Sequence, residues 1–106
     1  MNLTHAKSKP DDQVGGILFV ASREINSEMA RRNLEAFCRD KLFGNCQFDT
    51  VDVFEDMELA VREGIIVTPA LLITRPEPRR VIVGNLSNIE QLADILNIET
   101  RQAQNG

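Results

Sequence analysis

An α/β fold of order β-α-β-α-β-β-α around a four-stranded mixed sheet is what this sequence predicts, and three observations carry the prediction. Gly16 to Ala21 is a short unbroken apolar run, as expected of a strand buried on both faces. Three later segments carry apolar residues at helical spacing, each opened by a residue able to cap a helix. Two apolar runs flank Pro76-Glu77-Pro78, which reads as a hairpin with its prolines outside the ladder.

In chain order, the run ending at Ala21 predicts a central first strand. Ser27 is the expected N-cap of the first helix, with Glu28 in its first turn to favour the free amides and the dipole. Ala30, Leu34, Phe37 and Cys38 then share one face, and Gly44 offers a left-handed stop after Phe43. Phe48 to Phe54 mixes aromatic and β-branched residues with Asp49 and Asp52, so it reads as a second strand nearer an edge. A strand-helix-strand unit of this length implies parallel pairing. Asp56 should cap a short helix with Met57, Ala60 and Val61 on one face and Gly64 at its end. Ala70 to Thr74 is the third strand, Arg80 to Val83 the fourth, antiparallel to it. Ser87 with Glu90 spells a capping box ahead of Ile89, Leu92, Ala93 and Leu96, predicting a last helix over 88–97. This order is that of the thioredoxin fold, with Thr68-Pro69 where that fold places a proline before its third strand. The domain is expected over 14–98, between flexible tails at 1–13 and 99–106.

The 106 residues carry 12 basic and 16 acidic side chains, a formal net charge of -4, which gives no global attraction to nucleic acid or to an anionic membrane. No apolar run approaches the roughly 20 residues of a membrane span, and residues 1–13 lack the apolar stretch of a secretory signal. A cytoplasmic location is expected. Cys38 and Cys46 form neither a CxxC redox pair nor a four-ligand zinc framework, and two reduced, partly buried thiols are expected. The single histidine, His5, stands in the polar leader without ligand neighbours. Neither a metal nor any other cofactor is expected.

In a thioredoxin-like oxidoreductase the nucleophilic thiol sits between the first strand and the first helix. Here that place reads Ser22-Arg23-Glu24-Ile25-Asn26-Ser27, without sulfur. The chain carries no phosphate loop and none of the GxGxxG, HExxH or GxSxG motifs. An enzyme is therefore not expected. Val67-Thr68-Pro69 could line a peptide-binding groove, and Pro69 equally serves to shape a turn. Arg75, Arg79 and Arg80 cluster around the proline hairpin, where they could meet carboxylates or phosphates of a partner, or keep an edge strand from aggregating.

Val67-Thr68-Pro69-Ala70-Leu71, and then Pro76 through Arg79-Arg80 to Gly84-Asn85-Leu86-Ser87-Asn88, resemble the circadian clock protein KaiB family. That family shows a Thr-Pro-Thr-Leu step, a proline hairpin with paired arginines, and Gly-Asp-Leu-Ser opening the next helix. The likeness extends less tightly over Gly16 to Asp94. It departs at Ser22-Arg23-Glu24-Ile25, where the family has Gly-Asn-Thr-Pro, and at Asp49, where a lysine is customary. The resemblance implies a non-enzymatic adaptor that docks on a KaiC-like ring ATPase, in circadian or stress signalling. A KaiA-like protein or a histidine kinase would be further partners, and a homo-oligomer is expected. Arg75, Arg79 and Arg80 are the expected partner-binding residues, and Pro69, Gly84, Ser87 and Glu90 the structural ones. The resemblance also admits an alternative fold, the KaiB ground state with its second half rearranged. The alternative function, from fold alone, is a thiol or glutathione-dependent oxidoreductase using Cys38 or Cys46.

Overall fold

The computed structural model describes residues 13–96, the side chain of Ile89 excepted. In sequence order run β1 (Val14–Val20), α1 (Ile25–Lys41), β2 (Cys46–Asp52), α2 (Met57–Arg62), β3 (Ala70–Arg75), β4 (Arg80–Val83) and α3 (Ile89–Leu96). The sheet order is β2-β1-β3-β4, with β1 and β2 parallel and the other two pairs antiparallel. The first strand is thus central and the second an edge, as the composition of each predicts. The expected tails lie outside the described residues, except Gln13.

Alternation along the strands divides the core in two, because successive side chains leave opposite faces of a sheet. Leu18 and Val20 of β1, with Leu71 and Ile73 of β3, pack under Ala30, Leu34 and Phe37 of α1 and Leu92, Ala93 and Leu96 of α3. Phe19 and Leu72 point the other way, against Ala60 of α2. Ile17, Val51, Val53, Leu59 and Ile65 fill out this smaller cluster. Two helices therefore cover one face and a single short helix the other. At the start of β1 the chain needs glycine: a Cβ at Gly16 would collide with the carbonyl oxygen of Leu72, where the pairing with β3 shifts register.

Four local expectations are corrected. The first helix starts at Ile25 with Glu24 as its N-cap residue, which makes no side-chain bond to the first-turn amides. Ser27 lies inside the first turn, only 2% exposed. Its hydroxyl is already committed, accepting from the Ala21 amide at 3.0 Å and donating to Glu24 Oε1 at 2.7 Å. In α2, Asp56 caps as expected, accepting from the Leu59 amide at 3.1 Å. Met57 and Val61, however, are exposed, and Ala60 is the buried residue of this helix, which is too short to wrap a second apolar turn onto the sheet. At α3 the capping oxygen comes from Asn88, whose Oδ1 accepts from the Gln91 amide at 2.9 Å. Ser87 stands one residue too early to cap, its own amide donating to Asn85 Oδ1 at 3.0 Å, so Ser87 and Glu90 do not form the expected box. Finally, Cys38 and Cys46 are not separate thiols but a disulfide, with Cα atoms 6.0 Å apart. Parallel pairing sets the first residue of β2 beside the last turn of α1, a proximity that the seven residues between the cysteines do not reveal.

Candidate partner-binding surface

The parallel register brings Val20 opposite Asp52, and the antiparallel register sets Ala70 opposite Phe19 and Val83 opposite Ala70. One end of the sheet therefore gathers the β1–α1 turn, the β2–α2 turn, the segment before Pro69 and the chain after β4. The Thr68–Pro69 peptide is cis, and the Pro69 carbonyl accepts from the Gly84 amide at 2.9 Å, where Gly84 holds φ 120, a conformation costly for other residues.

At this end stands a small polar network. Glu24 Oε1 accepts from both Ser27 Oγ and Thr68 Oγ1, the latter at 3.3 Å, tying the helix start to the proline segment. Arg23 turns the chain with φ 67. Ser22 Oγ donates to Asp52 Oδ2, and the Phe54 amide donates to Asp52 Oδ1 at 2.9 Å. The Ser22 hydroxyl first, and then the Phe54 amide, hold the Asp52 carboxyl below its ordinary pKa of 3.8. Around the network lie Ile25, Phe54 and Ile66, respectively 76%, 69% and 93% exposed. Hydroxyls and carboxylates stand here where an oxidoreductase of this fold would carry thiols, and an uncovered apolar rim surrounds them. Such an arrangement can bind, and it holds no nucleophile of thioredoxin type.

Glu24, Ser27 and Asp52 were not among the expected site residues. The signal for Asp52 was an acidic residue in a strand. For Glu24 and Ser27 only the position after β1 pointed to the site.

Arg75 pairs with Gly15, at the opposite end of the sheet. Its guanidinium occupies the space over that glycine, where a Cβ would stand 2.5 Å from Nη2. The buried Nε of Arg75 has no hydrogen-bond partner among the described residues. Arg79 Nη2 donates to Glu63 Oε1 at 2.6 Å, just past α2. Arg80 Nη1 donates to the Ile95 carbonyl at 2.7 Å, satisfying one of the free carbonyls in the last turn of α3. Because α2 and α3 lie on opposite faces, the adjacent arginines are drawn apart, and the three do not converge on one point. Among the described residues no group of three or more His, Cys, Asp or Glu could hold a metal ion, and no helix is long and apolar enough to cross a membrane.

Fold and site together define a thioredoxin-like domain without the thiols of a thioredoxin. Solved thioredoxins share the architecture: a variant from Halobacterium salinarum superposes with a TM-score of 0.66 at 21% identity, covering 94% of this chain and 84% of its own. A thioredoxin from Malassezia sympodialis gives 0.65 at 22% identity, with 84% and 77% covered. By sequence the chain belongs to the KaiB family, whose KaiB domain model matches residues 17–98. The circadian clock protein KaiB3 of a Synechocystis species is 31% identical over 75 residues, 71% of this chain and 74% of that protein. The circadian clock oscillator protein KaiB of Microcystis aeruginosa is 32% identical over 91 residues, 83% and 88% of the two chains.

Proposed function

We propose that this chain is a non-enzymatic adaptor that docks on a KaiC-like ring ATPase in circadian or stress signalling. The observation that carries the reading is the family match over residues 17–98, in a fold whose β1–α1 turn and first turn of α1 hold Ser22, Glu24 and Ser27 in place of thiols. Of the expected partner-binding arginines, Arg79 in the proline hairpin is assigned the contact, since the Arg75 guanidinium packs over Gly15 with its Nε buried. Arg79 reaches solvent, 55% exposed in its ion pair with Glu63, and so can exchange that partner for a carboxylate of the ATPase. Arg80 has a structural share through Ile95, so its contribution to docking and to stability are mixed. A KaiA-like protein or a histidine kinase would compete for the same chain, and self-association is expected.

The test is a titration of the labelled protein with a purified KaiC-like ATPase, read by fluorescence anisotropy. Saturable binding is expected, and Arg79→Glu should weaken it at least several-fold while moving the melting temperature little, since an exposed pair contributes roughly 0–1 kcal/mol to folding. Absence of binding by the wild type would overturn the adaptor reading. Unchanged affinity of the variant would remove the hairpin from it.

The oxidoreductase alternative has less support. Cys46 pairs with Val14 at the start of β1, whereas Pro69 precedes the residue paired with Phe19 near its end. At about 3.3 Å per residue, the sulfurs and the proline segment stand roughly 20 Å apart along the sheet. Turnover in a disulfide-reduction assay that is lost when both cysteines become serine would favour that alternative.

A further inference from the structure

The disulfide lies outside the site just described, and its surroundings differ from those of a bond that holds a core together. Cys38 is in the last turn of α1 and Cys46 is the first residue of β2. Both are half-buried and line an open groove of about 890 Å³ beneath the edge strand. The turn between them is held by the bond together with backbone hydrogen bonds. The Leu42 amide donates to Phe37 O at 3.3 Å, the Gly44 amide to Cys38 O at 2.9 Å, and the Asn45 amide to Leu42 O at 2.8 Å. The main core cluster, moreover, is built chiefly from residues of β1, α1, β3 and α3, joined by Leu42 from this turn and Leu86 after β4, and the two cysteines pack against it as partly buried neighbours. Most of that core does not include the bond, and both cysteines are partly exposed at the groove.

We propose that Cys38 and Cys46 form a reversible thiol/disulfide exchange site for a low-molecular-weight thiol of the glutathione type, whose redox state sets the mobility of the turn carrying Phe43. The groove has room for a molecule of tripeptide size, and Arg31, Arg39, Glu35 and Asp49 on its walls offer both signs of charge to a ligand bearing carboxylates and an ammonium group. A glutathione thiolate attacks one protein sulfur, forming a mixed disulfide and expelling the other sulfur as a thiolate that takes up a proton. A second glutathione thiolate attacks the glutathione sulfur of that mixed disulfide. Glutathione disulfide leaves, and the remaining protein thiolate is protonated. Two electrons have passed from two glutathione molecules to the protein, and the reverse sequence closes the bond. Opening it releases a turn in which Phe43 is 88% exposed and held at φ 54 beside Gly44 at φ 81. This proposal does not rest on docking to an ATPase.

The experiment equilibrates the full chain in mixtures of reduced and oxidised glutathione, quenches with acid, alkylates free thiols and weighs the intact protein. Masses carrying no alkyl group or two are expected, exchanging across the series as the reduced form grows. Amide exchange at Gly44, Asn45 and Cys46 should be faster in the reduced protein, with Leu71 and Leu72 unchanged. Two alkyl groups in an excess of glutathione disulfide would overturn the proposal, as would a bond that survives a large excess of glutathione at equilibrium. A stable glutathione adduct on the wild type in place of the internal bond would also overturn it. Cys38→Ser and Cys46→Ser supply the control, each expected to carry one glutathione. Equal amide exchange in the two forms would overturn the control of the turn.

Discussion

At the scale of single residues, two side chains show how position in the sheet fixes an energetic role. Leu71 is fully buried between α1 and α3, in the strand that lies between β1 and β4. Leu71→Ala should cost about 2–5 kcal/mol, from lost transfer energy and the cavity left behind, measurable by denaturant unfolding. Asp52 acts through charge. Its carboxyl titrates below the ordinary 3.8 in the folded chain, held by the Ser22 hydroxyl and the Phe54 amide. A depressed folded pKa means that the ionised group stabilises the fold above the unfolded value, and that this share is lost as pH falls through the folded value. Asp52→Asn should therefore flatten the acid side of a melting-temperature profile without altering its slope near neutrality. A profile matching the wild type in acid would show that the hydrogen bonds to Asp52 are not made in solution.

At the scale of elements, the helix ends determine where the chain turns. α3 is held at its start by Asn88 and near its end by Arg80, which reaches from β4 to the Ile95 carbonyl. Asn88→Ala should cost roughly 0.5–2 kcal/mol, whereas Ser87→Ala should cost clearly less. Paired thermal melts of the two variants check this, and the reverse order would move the helix start to Ser87. α1 has no side-chain cap, yet its first turn is fixed by Ser27 and Glu24 reaching back to Ala21 and across to Thr68. The same contacts order the turn at the candidate surface. Local helix capping and the geometry of the site are thus coupled through one carboxylate.

For the whole molecule, the question is which of two packings a KaiB relative adopts at rest. The structure is the thioredoxin-like one, with α3 over Ile89–Leu96 and its Leu92, Ala93 and Leu96 in the main core. Isoleucine costs a helix less than glycine, by a few tenths of a kcal/mol, so Ile95 favours this form more than a glycine there would. When two packings differ by only a few kcal/mol, such terms shift the resting population, and association can reverse the balance at high concentration. Dilute protein is expected to give helical backbone chemical shifts from Leu92 to Leu96. Extended values there would place the resting chain in the rearranged fold.

The order of elements, the central place of β1 and the edge place of β2 were all legible in the sequence. So was the Asp56 cap of α2, and each rests on local signals: apolar runs, helical spacing, glycine stops and a proline hairpin. The likeness to the KaiB family was legible for the same reason, since its motif is continuous along the chain. What only the tertiary structure decided depends on residues distant in sequence. The Cys38–Cys46 bond follows from the register of β2 beside α1. The separation of Arg79 from Arg80 follows from α2 and α3 lying on opposite faces of the sheet. The Glu24, Ser27 and Thr68 network joins a turn to a segment 44 residues away. Periodicity records which face a side chain takes on its own element, whereas its partner is chosen by how strands pair and which helix covers each face. That choice is made only when the chain closes on itself.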